Sequence, residues 1–272
     1  MGRGIALSAL QAGHSVTLFD VHDGVLSTAH EYISAQVAKS VEKGKMTADA
    51  AAAMMKLLNT SPVITKAAEG EIVIEAILEK PEAKFELFSA LEHNGLSDTA
   101  ILATNTSSLS VNFLSTKMRH PHNFIGLHFF NPANLMKLVE VVQSRQTSPD
   151  VVSRSVDFVK SLGKSPVLVK DVPGFIVNRV ARNYYNEAMK IATEAASEPE
   201  QIDRIMKSLG FKMGPFELMD LIGNDVNLEV TKSVYEQYFH EPRFTPSMYQ
   251  QEIVNAGRYG RKTGKGFHDY NS

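Results

Sequence analysis

Between Ser15 and Lys170 short apolar runs alternate with helical stretches, and at Asp171-Val172-Pro173-Gly174 that alternation stops. Few architectures accept such an order. Strands separated by helices pair in parallel and bury both faces, so the first part of the chain is predicted to form a mainly parallel sheet covered by helices. Ile5 to Gln11 reads as a helix of small residues closed by Gly13, Ser15 to Asp20 as a buried strand, and Leu26 to Lys43 and Ala48 to Leu58 as helices. Strand Glu71 to Ile77, helix Lys80 to Glu92 and strand Ala100 to Asn105 follow. Phe124 to Phe130 and Lys137 to Val142 are strands joined by a short turn through Asn131 and Pro132, which adds an antiparallel element. Helix Ser148 to Leu162 and strand Pro166 to Lys170 close this part. Beyond Pro173 only helices are predicted, over Phe175 to Ala196, Glu200 to Leu209, Pro215 to Leu221 and through Tyr249 to Ala256, with Gly210, Gly214 and Gly223 as breaks. The fold class is thus α/β over residues 1–171, followed by an all-α domain over residues 172–272.

A chain of 272 residues that is 43% hydrophobic can build a substantial core in each part. Its net charge of -2 gives no general attraction to nucleic acid or to an anionic membrane, so an anionic ligand has to be held by local groups. Absence of cysteine excludes disulfides, thiol nucleophiles and thiolate metal ligands. The nine histidines show no metal-ligand spacing, and no metal is expected. Apolar runs are too short to span a bilayer, and Met1 to Ala12 does not read as a signal or transit peptide. A cytoplasmic protein is the expectation.

Gly2-Arg3-Gly4, followed by Asp20 at the end of the next strand, looks like the second half of a dinucleotide-binding unit, which makes the sheet domain Rossmann-like. In such a unit a glycine-rich turn lets backbone amides and a helix amino terminus hold a pyrophosphate, and the acidic side chain accepts hydrogen bonds from ribose hydroxyls. Gly2 stands at the third glycine position. An aspartate at position 20 repels a 2'-phosphate and no arginine follows it, which favours NAD over NADP. A small-residue helix start with a solvated Asp20 is the plain alternative. The leading strand and the first two glycines are not in the sequence, so the neighbours of that strand are expected to expose apolar edges, and the chain is expected to be truncated or to begin upstream of residue 1.

The two strands around Asn131-Pro132 each carry one titratable group, His128 and Glu140, which a strand, turn and returning strand would set side by side. A carboxylate that orients an imidazole and stabilises the imidazolium formed on proton uptake makes a general base. A core histidine beside a surface glutamate is the other reading of this pair.

Several separated segments match one family in order: Gly2 to Asp20, Ile74 to Glu79 with Lys84, Asn105 to Leu109, His128 to Glu140, Asp171 to Arg179, Met213 to Asp220 and Gly260 to Phe267. Together they resemble the L-3-hydroxyacyl-CoA dehydrogenases, including 3-hydroxybutyryl-CoA dehydrogenases, over essentially the whole chain. His128-Phe129-Phe130-Asn131-Pro132 and Pro173-Gly174-Phe175 with Asn178-Arg179 are the most specific parts. The resemblance implies NAD-dependent oxidation of a short- or medium-chain L-3-hydroxyacyl-CoA to the 3-ketoacyl-CoA, with His128 as base and Glu140 as its orienting partner. It implies a hydrogen bond from Ser107 to the substrate oxygen, near the nicotinamide, and makes Asn178 an active-site residue. Glu79, Lys84 and Asn105 match positions on the cofactor side with Gly2 and Asp20, and Lys43 is the best match among Lys39, Lys43 and Lys45 for coenzyme A phosphates. Local alternatives stand beside these: a helix cap at Ser107 and Ser108, a polar helix face at Asn178, a solvated helix start at Glu79 and Lys84, and a wet helix face for the lysines. Met213 to Asp220 and Arg261 to Phe267 are predicted to be structural. The helical domain is expected to carry a homodimer contact.

Two rivals differ in class. A non-catalytic relative, as lens lambda-crystallins are to this family, is favoured by the absent strand and opposed by the presence together of Ser107, His128, Glu140 and Asn178. Hydroxy-acid dehydrogenases of other families with a helical second domain typically place a lysine base on that domain, whereas the base candidate here lies in the sheet domain.

Overall fold

The computed structural model describes residues 1–271. Its elements fall into two compact units, Met1–Asp171 and the residues from Val172 onward. The first runs α1 (Gly2–Gln11), β1 (Val16–Phe19), α2 (Asp23–Glu42), α3 (Ala48–Met55), β2 (Leu58–Ser61), α4 (Ile64–Ala68), β3 (Ile72–Glu75), α5 (Pro81–His93) and β4 (Ile101–Thr104). It continues with α6 (Val111–Ser115), β5 (Phe124–Phe129), β6 (Leu138–Gln143), α7 (Pro149–Ser161) and β7 (Ser165–Lys170). The α/β class with a mostly parallel sheet is therefore what the alternation predicts.

The strands divide into two sheets where the alternation predicts one. A five-stranded sheet has the order β3-β4-β5-β6-β7, with only the β5–β6 step antiparallel. β1 pairs in parallel with β2 in a separate two-stranded sheet. The predicted helix through Leu58 ends at Met55, and Leu58 instead begins β2, aligned with Val16. Between the edges of β1 and β3 runs a cleft of about 1620 Å³, lined by Val16 to Phe19, Ile72 to Ile77 and the start of α1. Strands β4 and β5 are buried throughout, whereas β1 and β3, beside the cleft, are mostly half-buried. β1 and β3 each have a ladder partner on one side alone among the described residues.

Helix α1 joins the two sheets through side chains. Ile5 packs in the core of the larger sheet with Ile101, Ile125 and Leu127, while Ala6, Leu7 and Leu10 pack with Ile33, Val37 and Met54 beside the smaller one. In the middle of the larger sheet Gly126 admits no side chain, because a Cβ there would meet Val111 and Val142 at 2.9 Å.

The second unit contains α8 (Val177–Thr193), α9 (Pro199–Ser208), α10 (Pro215–Ile222), α11 (Asn224–Gln237) and α12 (Met248–Asn255). Helix α11 is an addition to the sequence expectation. Two buried carboxylates organise this unit. Asp203 accepts the Phe216 and Glu217 amides at the start of α10 and the His268 Nε2 proton at 2.6 Å. Asp220 accepts the Phe267 and His268 amides, the Asn224 side chain and the Tyr270 hydroxyl. Gly266 leaves room for that carboxylate, which a side chain would displace. The segments Met213 to Asp220 and Arg261 to Phe267 thus lock together. No helix among the described residues is long and apolar enough to cross a membrane.

The hydrogen bond to Asp203, against some opposition from burial, raises the pKa of His268 above its ordinary value of 6.5. A raised folded-state value means that the stabilisation is fully present below about pH 6.5 and is lost as pH climbs through the raised value. The denaturant midpoint of the chain is expected to fall over that rise, and His268→Gln is expected to remove this part of the slope; an identical slope in the variant would refute the linkage.

Candidate active site

Antiparallel pairing sets His128 directly opposite Glu140, and cross-strand partners point to the same face of a sheet. Nδ1 of His128 lies 2.7 Å from Oε2 of Glu140. Because a carboxylate only accepts, Nδ1 carries the proton and the ring's basic lone pair sits on Nε2. Both residues are deeply buried, at 6% and 1% exposure, so the pairing is neither a surface contact nor a histidine without its acid. The Phe130 ring packs against the imidazole with centroids 4.5 Å apart. Lys164 pins the turn between the strands, donating to the Ala133 and Met136 carbonyls at 2.6 and 2.8 Å, and burial lowers its pKa.

Next to this pair the β4–β5 ladder ends with Thr104 aligned to Gly126. The Asn105 side chain takes over, its Oδ1 accepting the Phe129 amide at 2.9 Å. Its carbonyl is thereby spent on holding the end of β5, one residue from His128.

Ser107 and Ser108 follow in the loop, and neither begins α6; that helix is capped by Ser110, whose hydroxyl accepts the Phe113 amide. Ser110 and Asn112 are tied in turn to Asp171 at the end of the unit. The Ser107 amide donates to Glu79 Oε1 at 2.7 Å, with its hydroxyl 3.4 Å away. Thr106 and Ser108 donate to the same oxygen. Burial opposes the Glu79 charge, yet Lys84 together with Thr106 and Ser107 holds its pKa below the usual carboxylate value.

Lys84 is not the solvated charge of a helix start. It is 1% exposed, and its ammonium faces Glu75 at 2.6 and 2.7 Å and Glu79 at 3.2 Å. Those contacts tie the ammonium to two carboxylates of the same unit. Glu75 escaped the sequence reading, although a charged residue closing the apolar run Ile72 to Ile74 is itself a signal of a buried partner.

At the cleft, Gly2 opens α1 and Asp20 closes β1, so both candidate dinucleotide positions line one space. Asp20 Oδ1 accepts the His22 amide at 3.0 Å. No side chain other than Ala76 would be met within 4 Å by a Cβ at Gly2, leaving the helix start open to a ligand. The open start of α1, the Asp20 carboxylate and the space fit part of a dinucleotide. Lys39, Lys43 and Lys45 are exposed at the end of α2, without an ion pair among the described residues. Asn178 lies in the first turn of α8 in the helical unit. No group of residues suited to a metal is found among those described.

A mainly parallel sheet whose first helix and first strand end share a cleft, followed by a helical unit, is the build of a dinucleotide-dependent oxidoreductase. Residues 1–172 match the family model described as 3-hydroxyacyl-CoA dehydrogenase, NAD binding domain, and residues 174–270 match its C-terminal domain. The chain belongs to the 3-hydroxyacyl-CoA dehydrogenase family. It is 44% identical over 99% of its length to 3-hydroxyadipyl-CoA dehydrogenase of Escherichia coli, spanning 57% of that protein. It is 39% identical to the mitochondrial hydroxyacyl-coenzyme A dehydrogenase of Sus scrofa, covering 99% of this chain and 88% of the relative. A crystal structure of 3-hydroxybutyryl-CoA dehydrogenase from Escherichia coli superposes with a TM-score of 0.97 at 43% identity, over 100% of this chain and 58% of that one.

Asn105→Ala would leave the Phe129 amide without its acceptor and is expected to cost about 1–3 kcal/mol of stability in a denaturant titration. Asn105→Asp, which retains an acceptor, is expected to cost less; equal losses in the two variants would show that the bond to Phe129 is not what Asn105 contributes.

Proposed function

We propose that this chain oxidises a short-chain L-3-hydroxyacyl-CoA, such as 3-hydroxybutyryl-CoA, to the 3-ketoacyl-CoA, with residues 1–171 binding NAD and residues 172–272 serving substrate and dimer contacts. The observation that carries the reading is the buried 2.7 Å pairing of His128 with Glu140 at opposed positions of one hairpin. NAD, when bound, supplies the acceptor for the hydride that leaves carbon 3. His128 Nε2 takes the hydroxyl proton, and Glu140, holding the Nδ1 proton, keeps the ring oriented and stabilises the imidazolium. In the reverse direction the imidazolium returns the proton to the developing alkoxide.

Other roles rest on the resemblance and on placement. The Ser107 hydroxyl orients the substrate oxygen, from a loop whose backbone Glu79 holds. Asn178 contributes a polar group to the substrate. Asp20 accepts from the adenosine ribose and Gly2 leaves the start of α1 open to the pyrophosphate, both beside the cleft. Glu79 and Asn105 complete the cofactor side, and Lys43 neutralises a coenzyme A phosphate. The exposed Ile205, Leu209 and Phe211 of the helical unit support a homodimer contact there. A second reading, a relative that folds without turning over, draws on the open edges of β1 and β3 beside Gly2.

NADH titration followed by fluorescence separates the readings: saturable binding favours the enzyme, and no binding favours the non-catalytic relative. His128→Gln is expected to lower kcat by about a hundredfold to ten-thousandfold with the unfolding midpoint little changed. Unchanged turnover in that variant would remove His128 from the role of base.

A further inference from the structure

Glu75 and Lys84 form a buried ion pair away from the His128–Glu140 hairpin, and stability is a poor account of it. Withdrawing two charges from water costs several kcal/mol for each, and well-packed apolar residues usually do as well or better. What distinguishes this pair is its connections. Glu75 Oε1 also accepts the Ile77 amide at 2.7 Å and Oε2 the Thr104 hydroxyl at 2.7 Å, which joins the ends of β3 and β4. Lys84 reaches on from Glu75 to Oε2 of Glu79. Glu79 Oε1 in turn gathers the Ser107 and Ser108 amides and the Thr106 hydroxyl.

We infer that Glu75 and Lys84 are positioning residues that fix the Ser107 loop by holding Glu79 between the ammonium and the loop amides. Glu79 uses one oxygen for each side, so the ammonium sets where the other oxygen meets the loop. The buried Glu75 carboxylate anchors that ammonium with both of its oxygens. Removing the Glu75 charge leaves Glu79 as the sole counter-ion of Lys84, which draws Glu79 toward the ammonium and away from the amides. Lys84 thus reaches the reaction through Glu79 and the loop. Its effect on turnover rests on the role proposed above for Ser107; its effect on the loop does not.

The test uses the full chain. Hydrogen exchange of the Ser107 and Ser108 amides, without ligand, is expected to quicken roughly tenfold or more in Glu75→Gln. In the same variant kcat with 3-hydroxybutyryl-CoA is expected to fall roughly tenfold to a hundredfold, with KM for the acyl-CoA changed by less than about threefold. Glu75→Gln with Lys84→Met removes both buried charges and keeps the assay open should the single variant fold poorly. Its unfolding midpoint is expected to return toward that of the wild type, while amide exchange stays fast and kcat stays low. Unchanged exchange in Glu75→Gln, or a double variant that recovers slow exchange and kcat along with stability, would overturn the positioning role. A wild-type chain inactive on every hydroxyacyl-CoA would defeat the functional reading alone, because exchange still decides whether the pair holds the loop.

Discussion

In an antiparallel pair a slip of one residue turns every side chain to the opposite face, so the alignment of β5 with β6 decides whether His128 has an acid beside it. Several features fix that alignment. Leu127, Phe129, Val139 and Val141 pack into the core of the larger sheet, and a slipped register would take one strand's apolar set out of it. Lys164 ties the turn from one side, while Ser8 of α1 donates to the Ala133 carbonyl from another. Asn105 holds the end of β5 that leads into the turn. The chemistry proposed for the pair thus depends on packing and capping some distance from the imidazole.

Carboxylates do much of the remaining organisation, and in each case the acid gathers donors that ordinary ladders leave over. Asp171 collects the start of α6, Asp203 the start of α10, Asp220 the carboxyl-terminal turn and Glu79 the loop after β4. A loop amide without a partner costs more than its hydrogen bond gains, so these acids choose one loop conformation from many. That is the link from sequence to preorganisation here: the strands place the loop ends, and single side chains from elsewhere in the same unit decide how the loops lie between them.

Patterns local in sequence were legible and pairings distant in sequence were not. Strand–helix alternation defined the α/β class and its end near Pro173, and the two apolar runs around Asn131-Pro132 showed the hairpin. Strand β2 was hidden, since Leu58-Asn59-Thr60-Ser61 follows a run of strong helix formers and becomes a strand only by pairing with Val16 to Phe19. Helix α11 carries polar residues on much of its length, and several of them, Asn224, Asn227 and Thr231, are buried against other polar groups, which defeats a search for an apolar stripe. Ser107 and Ser108 resemble a helix start, but Ser110 is the cap, a distinction set by where Glu79 lies. The partnership of His128 with Glu140 could be read because both sit on one hairpin; that of Lys84 with Glu75 could not, because strand and helix meet there only in the fold.

The separation of the two sheets has a consequence for how the first unit comes apart. No ladder hydrogen bond joins β1 or β2 to the five-stranded sheet among the described residues, and α1 bridges the two through side chains. Residues 2–61 and the strands from β3 to β7 are thus two segments coupled through side chains, Ile5 in the shared core and Ser8 on the Ala133 carbonyl, rather than through a ladder. Anything seated between β1 and β3 would couple the two segments, so occupancy of the cleft would be felt as cooperativity of unfolding as well as affinity.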